Sequence, residues 1–515
     1  MNPRLFTAGI FLCLVILCSG SILQTWAGGP NGWGADDAFI SYRYARNLAT
    51  GRGLVFNPGE RVEGYTNFLY VLLMTPAFWV TNNDGAFFFS VLLNLLLTVA
   101  ALLLFVAHLR QRLGESYALG GALLFALCLP IWVGVAWGLE TALVLAVSLA
   151  VWVAVEQVAS EPAPRRVFLL CLALVLALLA RADGFIIVGV ALFYLALKRR
   201  FHALATSTAV VTVAMAVYEL WRYAYYGNLL PNTFYAKVAG PLGFRFAHAY
   251  QQLSKIFTLE GLLPPLVVIL FTVGEESRKI LRGESSLAKS ARFDLIFPFV
   301  WLAYWFYIGG DLYEDRFLLI LYALGIFTLL RFLAGNVRGN TLAYVVVVLA
   351  MMEVVPHLSS DYRCQYNFHR YDGWILTGKF LGTNLPGKVL ATGALGKICF
   401  FSDLKTQDML GLTDPVLAHR PVAALGFSPG HMKFDPDYTL SRKPDLIADG
   451  ARPTLDLFYD LTREKYEKAG YQIRYLIDTK GNPSGQHILD VKGLDYAAMQ
   501  QLVAQGYDFA VLARK

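Results

Sequence analysis

Two adjacent carboxylates, Asp36-Asp37, open a stretch of helical spacing that runs to about Thr50, inside a loop spanning 28–67. Such a pair can simply cap a helix and favour its dipole, worth about 1 kcal/mol. Its surroundings point to chemistry instead. At helical spacing Asp36, Ile40, Arg43 and Asn47 share one face, so a carboxylate and a guanidinium point the same way. Another acid, Glu63, follows in the turn Glu63-Gly64-Tyr65-Thr66, where Tyr65 joins it as a candidate binding residue. Short connections further along hold isolated polar groups. They are Glu140 in Gly138-Leu139-Glu140-Thr141, Arg181 and Asp183 in Arg181-Ala182-Asp183-Gly184, Asn232 and Lys237 in 228–237, and Asp311, Asp315 and Arg316 in 309–316. Glu140 has no base close to it in sequence, Arg181 and Asp183 can satisfy each other, and Arg316 can equally anchor a helix end. Carboxylates with Arg and Lys, and no His or Cys cluster, argue against zinc or thiol catalysis. They suit removal of a proton from a hydroxyl while cations neutralise a phosphate leaving group.

The elements that must position these groups are membrane helices. Of 515 residues, 56% are hydrophobic and only 16% charged, with a mean hydropathy of +0.49; a soluble chain carries about a quarter charged residues. The apolar residues come in runs such as 92–107 and 209–217. The first apolar run, behind Arg4, is long enough to span and reads as an uncleaved anchor rather than a signal peptide. Later segments run roughly over 86–107, 117–133, 137–155, 166–180, 183–197, 203–224, 261–274, 293–308, 316–333 and 341–356. Basic residues fall in every second connection, which orients the chain with its N-terminus cytoplasmic, in about eleven crossings. The stretch 68–80 is short and holds Pro76, so it reads as re-entrant or interfacial. The net charge of +7 is scattered and forms no stripe for nucleic acid. All the isolated polar groups then lie on the outer face, where polar and charged groups are costly unless they meet in a cavity. Four arginines of the first loop, Arg43, Arg46, Arg52 and Arg61, stand where topology disfavours them, which suggests an anionic ligand.

From about Ser359 the composition turns to that of a soluble α/β domain. Residues 1–358 therefore form a transmembrane domain and 359–515 an extracytoplasmic one. Within the latter, 388–392 and 398–401 predict strands and 457–469 an amphipathic helix. Cys13, Cys18, Cys128 and Cys171 lie in apolar runs; Cys364 and Cys399 can pair if their side of the membrane is oxidising.

An acidic pair in the first outer loop of a many-pass protein resembles the C-type (GT-C) glycosyltransferase superfamily, which uses polyprenyl-phosphate sugars. A longer string is more specific. It runs from Asp36-Asp37-Ala38-Phe39-Ile40-Ser41-Tyr42-Arg43-Tyr44 through Gly53-Leu54-Val55-Phe56-Asn57-Pro58-Gly59-Glu60-Arg61-Val62-Glu63-Gly64-Tyr65-Thr66-Asn67. With 138–141, 230–237 and Asp403…Asp408-Met409-Leu410-Gly411-Leu412-Thr413-Asp414, it is similar to the family of the mycobacterial terminal β-(1→2)-arabinofuranosyltransferase. The pattern departs at Ala182 and around 312–315. The resemblance implies inverting transfer of a sugar, arabinofuranose foremost, from a polyprenyl-phosphate donor to a glycan, lipid or protein hydroxyl at a bacterial inner membrane. The acidic pair would hold the base, with Asp36 narrowly preferred. Nearby Arg and Lys would hold the phosphate, and the C-terminal domain would help to bind the acceptor. Some members hold a divalent metal ion at this loop, which leaves a metal beside Asp36 and Asp37 an open alternative.

Two other classes compete. A transporter or flippase for lipid-linked sugars needs ionisable groups at mid-membrane, where the segments are clean apart from Glu156 and Glu219. A non-catalytic envelope or flagellar assembly protein predicts that acid-to-amide changes leave the cellular phenotype untouched.

Overall fold

The computed structural model describes residues 2–26, 33–237, 240–259, 263–311, 316–336, 341–354, 373–422, 430–479, 481 and 486–515. Asp315, Cys364 and the expected domain boundary near 359 lie outside them.

Each apolar segment expected from residue 86 onward coincides with a helix. Among the described residues, five helices are long and apolar enough to cross a membrane. They become six if Glu115–Leu127 and Leu129–Ala136, bent by 52°, form one span. The bend sits at Cys128, which is extended just ahead of Pro130, a residue that cannot continue the preceding helix. Phe68–Val80, Gly184–Leu197 and Phe293–Ile308 are shorter apolar helices. Leu23, Leu92, Leu96, Val213 and Leu220 are exposed on the outside of the bundle, as a lipid-facing surface requires. The chain is a multi-pass membrane protein.

One helix, Leu242–Leu259, has no counterpart among the expected segments. Its apolar positions are interrupted by His248, Gln251 and Gln252, too polar a pattern to register as a span. It holds a loop in place. His248 Nδ1 lies 2.7 Å from the Gly309 carbonyl, and Gln252 bonds the Asp311 backbone in both directions.

The C-terminal region builds a six-stranded sheet in the order β2-β1-β3-β6-β4-β5. The strands are β1 (Val389–Thr392), β2 (Lys405–Asp408), β3 (Leu446–Gly450), β4 (Tyr471–Ile477), β5 (Ile488–Asp490) and β6 (Phe509–Arg514). β1 runs parallel to β2 and β3; β6 is antiparallel to β3 and β4. Two local expectations are corrected. Residues 398–401, β-prone in composition, belong to a helix, Lys397–Ser402. The Asp36 carboxylate accepts the Gly396 and Lys397 amides at 3.0 and 2.7 Å, so a distant residue caps that helix and overrides local propensity. The expected helix over 457–469 shrinks to Arg463–Lys468. Tyr459 and Asp460 hold φ of +57° and +56°, incompatible with a right-handed helix, and Thr462 caps the new start through the Lys465 amide.

Candidate functional site

Helix Asp36–Ala49 lies between the bundle and the sheet. Phe39, Tyr42 and Tyr44 are fully buried on it, and Phe39 meets Phe400 edge-on at 5.5 Å. Neither acid is the N-cap; that position is Ala35, which has no side chain to offer. The acids occupy the first turn, with different surroundings. Both Asp36 oxygens accept backbone amides from the C-terminal domain. The contact is so close that a side chain at Gly396 would strike the Asp36 backbone. Asp37 faces a cavity of about 1140 Å³ between bundle and sheet and lies 3.5 Å from Lys237 Nζ, with a quarter of its side chain exposed. Burial alone would raise its carboxyl, but the charges of Lys237, Arg316 and His431 outweigh that and hold it below the usual range.

The membrane side of this cavity gathers three of the other expected acids, Glu140, Asp183 and Asp311, each with a cation. Glu140, which has no base near it in sequence, lies 3.4 Å from Arg181 and accepts from Asn67 at 2.8 Å. Tyr42 and Tyr70 fix the preceding turn, both donating to the Gly138 carbonyl at 2.7 and 2.6 Å. Arg181 also meets Asp183 at 3.3 Å, and its guanidinium stacks on Phe317 at 3.5 Å. Arg316 grips Asp311 with two donors, one of them at 2.9 Å. Tyr65 lines the same cavity.

Four expected residues are not brought there. Arg43 is 1% exposed and donates to the carbonyls of Phe56, Cys399 and Leu404 at 2.9, 2.5 and 2.7 Å. Asn47 binds the Val55 and Phe56 carbonyls. Asn232 donates to the Gly411 and Leu412 carbonyls. Glu63 pairs with Arg222 at 3.2 Å, and burial pushes its carboxyl up to about 7 against that pull. The shared face of Asp36 and Arg43 is real, but it points into the C-terminal domain. Arg46 and Arg52 likewise both reach Asp403, at 2.6 and 3.1 Å, and Arg61 lies over Tyr225. The loop's arginines are thus occupied by protein partners. The quoted string around Asp408 is also a docking device. Its carboxylate gathers the amides of Leu410, Gly411 and Thr413 into the turn that Asn232 holds.

Among the described residues no three His, Cys, Asp or Glu side chains converge as metal ligands. Asp36 is engaged by two amide donors and Asp37 by an ammonium, so this donor set does not fit a divalent ion.

Sequence reasoning missed several cavity residues: Asn67, Trp374, Lys397, His431, Asp449, Phe458, Tyr459 and Asp508. Asn67 stands at the end of the quoted string. The signal for Asp449 is Asp-Gly directly after a short apolar run, at the end of β3.

A family described only as a domain of unknown function, DUF8728, matches residues 361–511. The terminal β-(1→2)-arabinofuranosyltransferase of Mycobacterium tuberculosis is 26% identical over 332 residues, covering 58% of this chain and 52% of that protein. The protein of the same name in Corynebacterium glutamicum is 39% identical over 105 residues, 19% of this chain and 15% of its own. The chain spans about half the length of the first of these curated relatives and less of the second. Among solved structures, ArnT of Cupriavidus metallidurans bound to undecaprenyl phosphate aligns with a TM-score of 0.56 at 11% identity, over 97% of both chains. The apo oligosaccharyltransferase of Archaeoglobus fulgidus aligns at 0.57 and 11%, over 96% of this chain and 75% of its own. At such identity these likenesses show the fold alone, one that this chain shares with ArnT and with the oligosaccharyltransferase.

Proposed function

We propose that this protein is a membrane glycosyltransferase. It moves a sugar, arabinofuranose foremost, from a polyprenyl-phosphate donor to the hydroxyl of an extracytoplasmic glycan, lipid or protein. The observation that carries the reading is Asp37, a carboxylate kept ionised at the wall of a large cavity by Lys237 and Arg316. The curated relatives named as arabinofuranosyltransferases support the sugar, and the undecaprenyl phosphate bound to ArnT supports the donor class. The proposed setting is a bacterial inner membrane with the N-terminus cytoplasmic and the C-terminal domain outside, an orientation that the alternation of basic loops supports.

In this mechanism the acceptor O–H gives its proton to Asp37. The freed oxygen attacks the anomeric carbon, and the bond from that carbon to the phosphate oxygen breaks. The donor phosphodiester carries one negative charge and the departing polyprenyl phosphate gains a second. Lys237 and Arg316, whose charges act on Asp37, meet that growing charge. Asp36 positions rather than reacts, because both its oxygens already accept amides; the preferred base therefore moves from Asp36 to Asp37. A single displacement inverts the anomeric configuration.

The test is transfer by the full chain in nanodiscs from polyprenyl-phosphate arabinofuranose to an arabinofuranosyl oligosaccharide, with the product linkage read by NMR. Product from wild type and a rate roughly 10²–10⁴-fold lower from Asp37→Asn supports the reading. Full transfer by a folded Asp37→Asn protein removes its basis, and a retained configuration removes the single displacement.

A further inference from the structure

The cavity wall formed by the sheet holds a carboxylate that the transfer chemistry leaves unused. Asp449 is the penultimate residue of β3, is 5% exposed and lines the cavity. Its Oδ1 accepts the Gly450 amide at 2.8 Å, while Oδ2 is buried with no hydrogen-bond partner. An unmet buried acceptor costs roughly 1–3 kcal/mol, more if charged, and burial pushes this carboxyl up to about 7. Such an atom is retained where something else completes it.

What surrounds it is aromatic. Phe458 lies against Gly450 so closely that a side chain there would strike its ring. Tyr459 fits over Gly393 and stacks with His431, centroids 6.3 Å apart and planes 21° apart. Phe434 flanks Tyr459 at 5.5 Å. Because the charge of His431 is felt at Asp37, this wall adjoins the reacting end of the cavity.

We propose that the wall is a subsite for the acceptor, and that the acceptor it takes is a carbohydrate. A sugar hydroxyl donates to Asp449 Oδ2 while a face of the ring lies against Phe458 and Tyr459. The inference rests on the transferase reading above and adds to it the class of acceptor. The pairing of an apolar ring with a carboxyl oxygen that has no protein partner suits a neutral polyol, which presents C–H faces and O–H groups together. A phosphate-bearing acceptor would meet repulsion from Asp449 and from Asp508 on the same wall. A lipid chain would leave Oδ2 unmet.

The experiment has two readouts on the full chain in nanodiscs. The first is binding of an arabinofuranosyl hexasaccharide without donor, by saturation-transfer NMR, against a lysine-containing peptide as control. The second is the acceptor KM beside the donor KM. Asp449→Asn and Phe458→Ala are the variants. Phe458 is 45% exposed, so its truncation leaves the core whole. Each should weaken hexasaccharide binding and raise the acceptor KM about tenfold, with the donor KM held and the melting temperature kept or raised. Unchanged binding and acceptor KM in both variants overturns the subsite. So does a parallel loss of melting temperature, donor KM and kcat, which marks a structural role. Binding of the peptide in preference to the glycan overturns the carbohydrate assignment. Wild-type protein that binds the glycan through Asp449 but transfers no sugar keeps the subsite and removes the transferase reading.

Discussion

The two sides of the cavity solve burial of acidic groups in opposite ways. On the membrane side every expected acid has a cation: Glu140 and Asp183 share Arg181, Asp311 has Arg316, and Asp37 has Lys237. On the sheet side Asp449 has an aromatic wall and an unmet oxygen. Paired charge tolerates the arrival of an anion, because a cation can turn from its carboxylate to a phosphate without leaving the site. Unpaired, half-apolar burial suits a neutral partner with hydroxyl donors. The contrast divides the cavity into an end built for charge and an end built for a sugar.

The largest expected effect tests the charged end. Asp37→Asn should lower the rate of transfer by roughly 10²–10⁴-fold, the usual worth of a positioned base, measured under saturating donor. Equal activity would mean that the charged end only binds. Next, Asp311→Asn should destabilise the protein by about 3–5 kcal/mol by breaking its buried pair with Arg316, seen as a lower thermal midpoint. Asp449→Asn should do the reverse. Its folded carboxyl sits at about 7, above the unfolded value near 3.9. The folded state therefore holds the extra proton between those values. Stability from this group is complete below about pH 4 and declines as pH rises through 7, by an amount on the order of a few kcal/mol. The Asn variant should lack that decline and melt higher than wild type at pH 8. A lower midpoint at pH 8 would erase the distinction between the two ends. The smallest effect belongs to Asp36→Ala, which should cost about 1 kcal/mol through the lost cap.

Much of this was legible in the sequence, for identifiable reasons. Apolar runs the length of a bilayer announce themselves, and each expected segment from residue 86 onward met a helix. Asp36 and Asp37 stood out because acids on an otherwise apolar chain are costly. Local pattern failed where a distant residue decides. Residues 398–401 are helical because Asp36 caps them, and 457–460 is not because Tyr459 and Asp460 are left-handed. The arginines of the first loop illustrate a different limit. Their excess suggests an anionic ligand, whereas the partners the fold gives them are carbonyls and Asp403 in the chain itself. Asp449 was missed because a single acid after a short strand is common. Only the fold shows that its oxygen has no donor.

The cap that Asp36 provides also bears on modularity. The matched family spans 361–511, as though that stretch were a cassette, yet one of its helices begins on a carboxylate 360 positions upstream. Arg43 and Arg46 extend the same dependence to Cys399, Phe400 and Leu404. A chimera that exchanges the C-terminal region alone would break this seam, whatever its new surface recognises. Recombination between relatives should therefore succeed when the first loop travels with the sheet, so that the two are inherited as one unit although they lie at opposite ends of the chain.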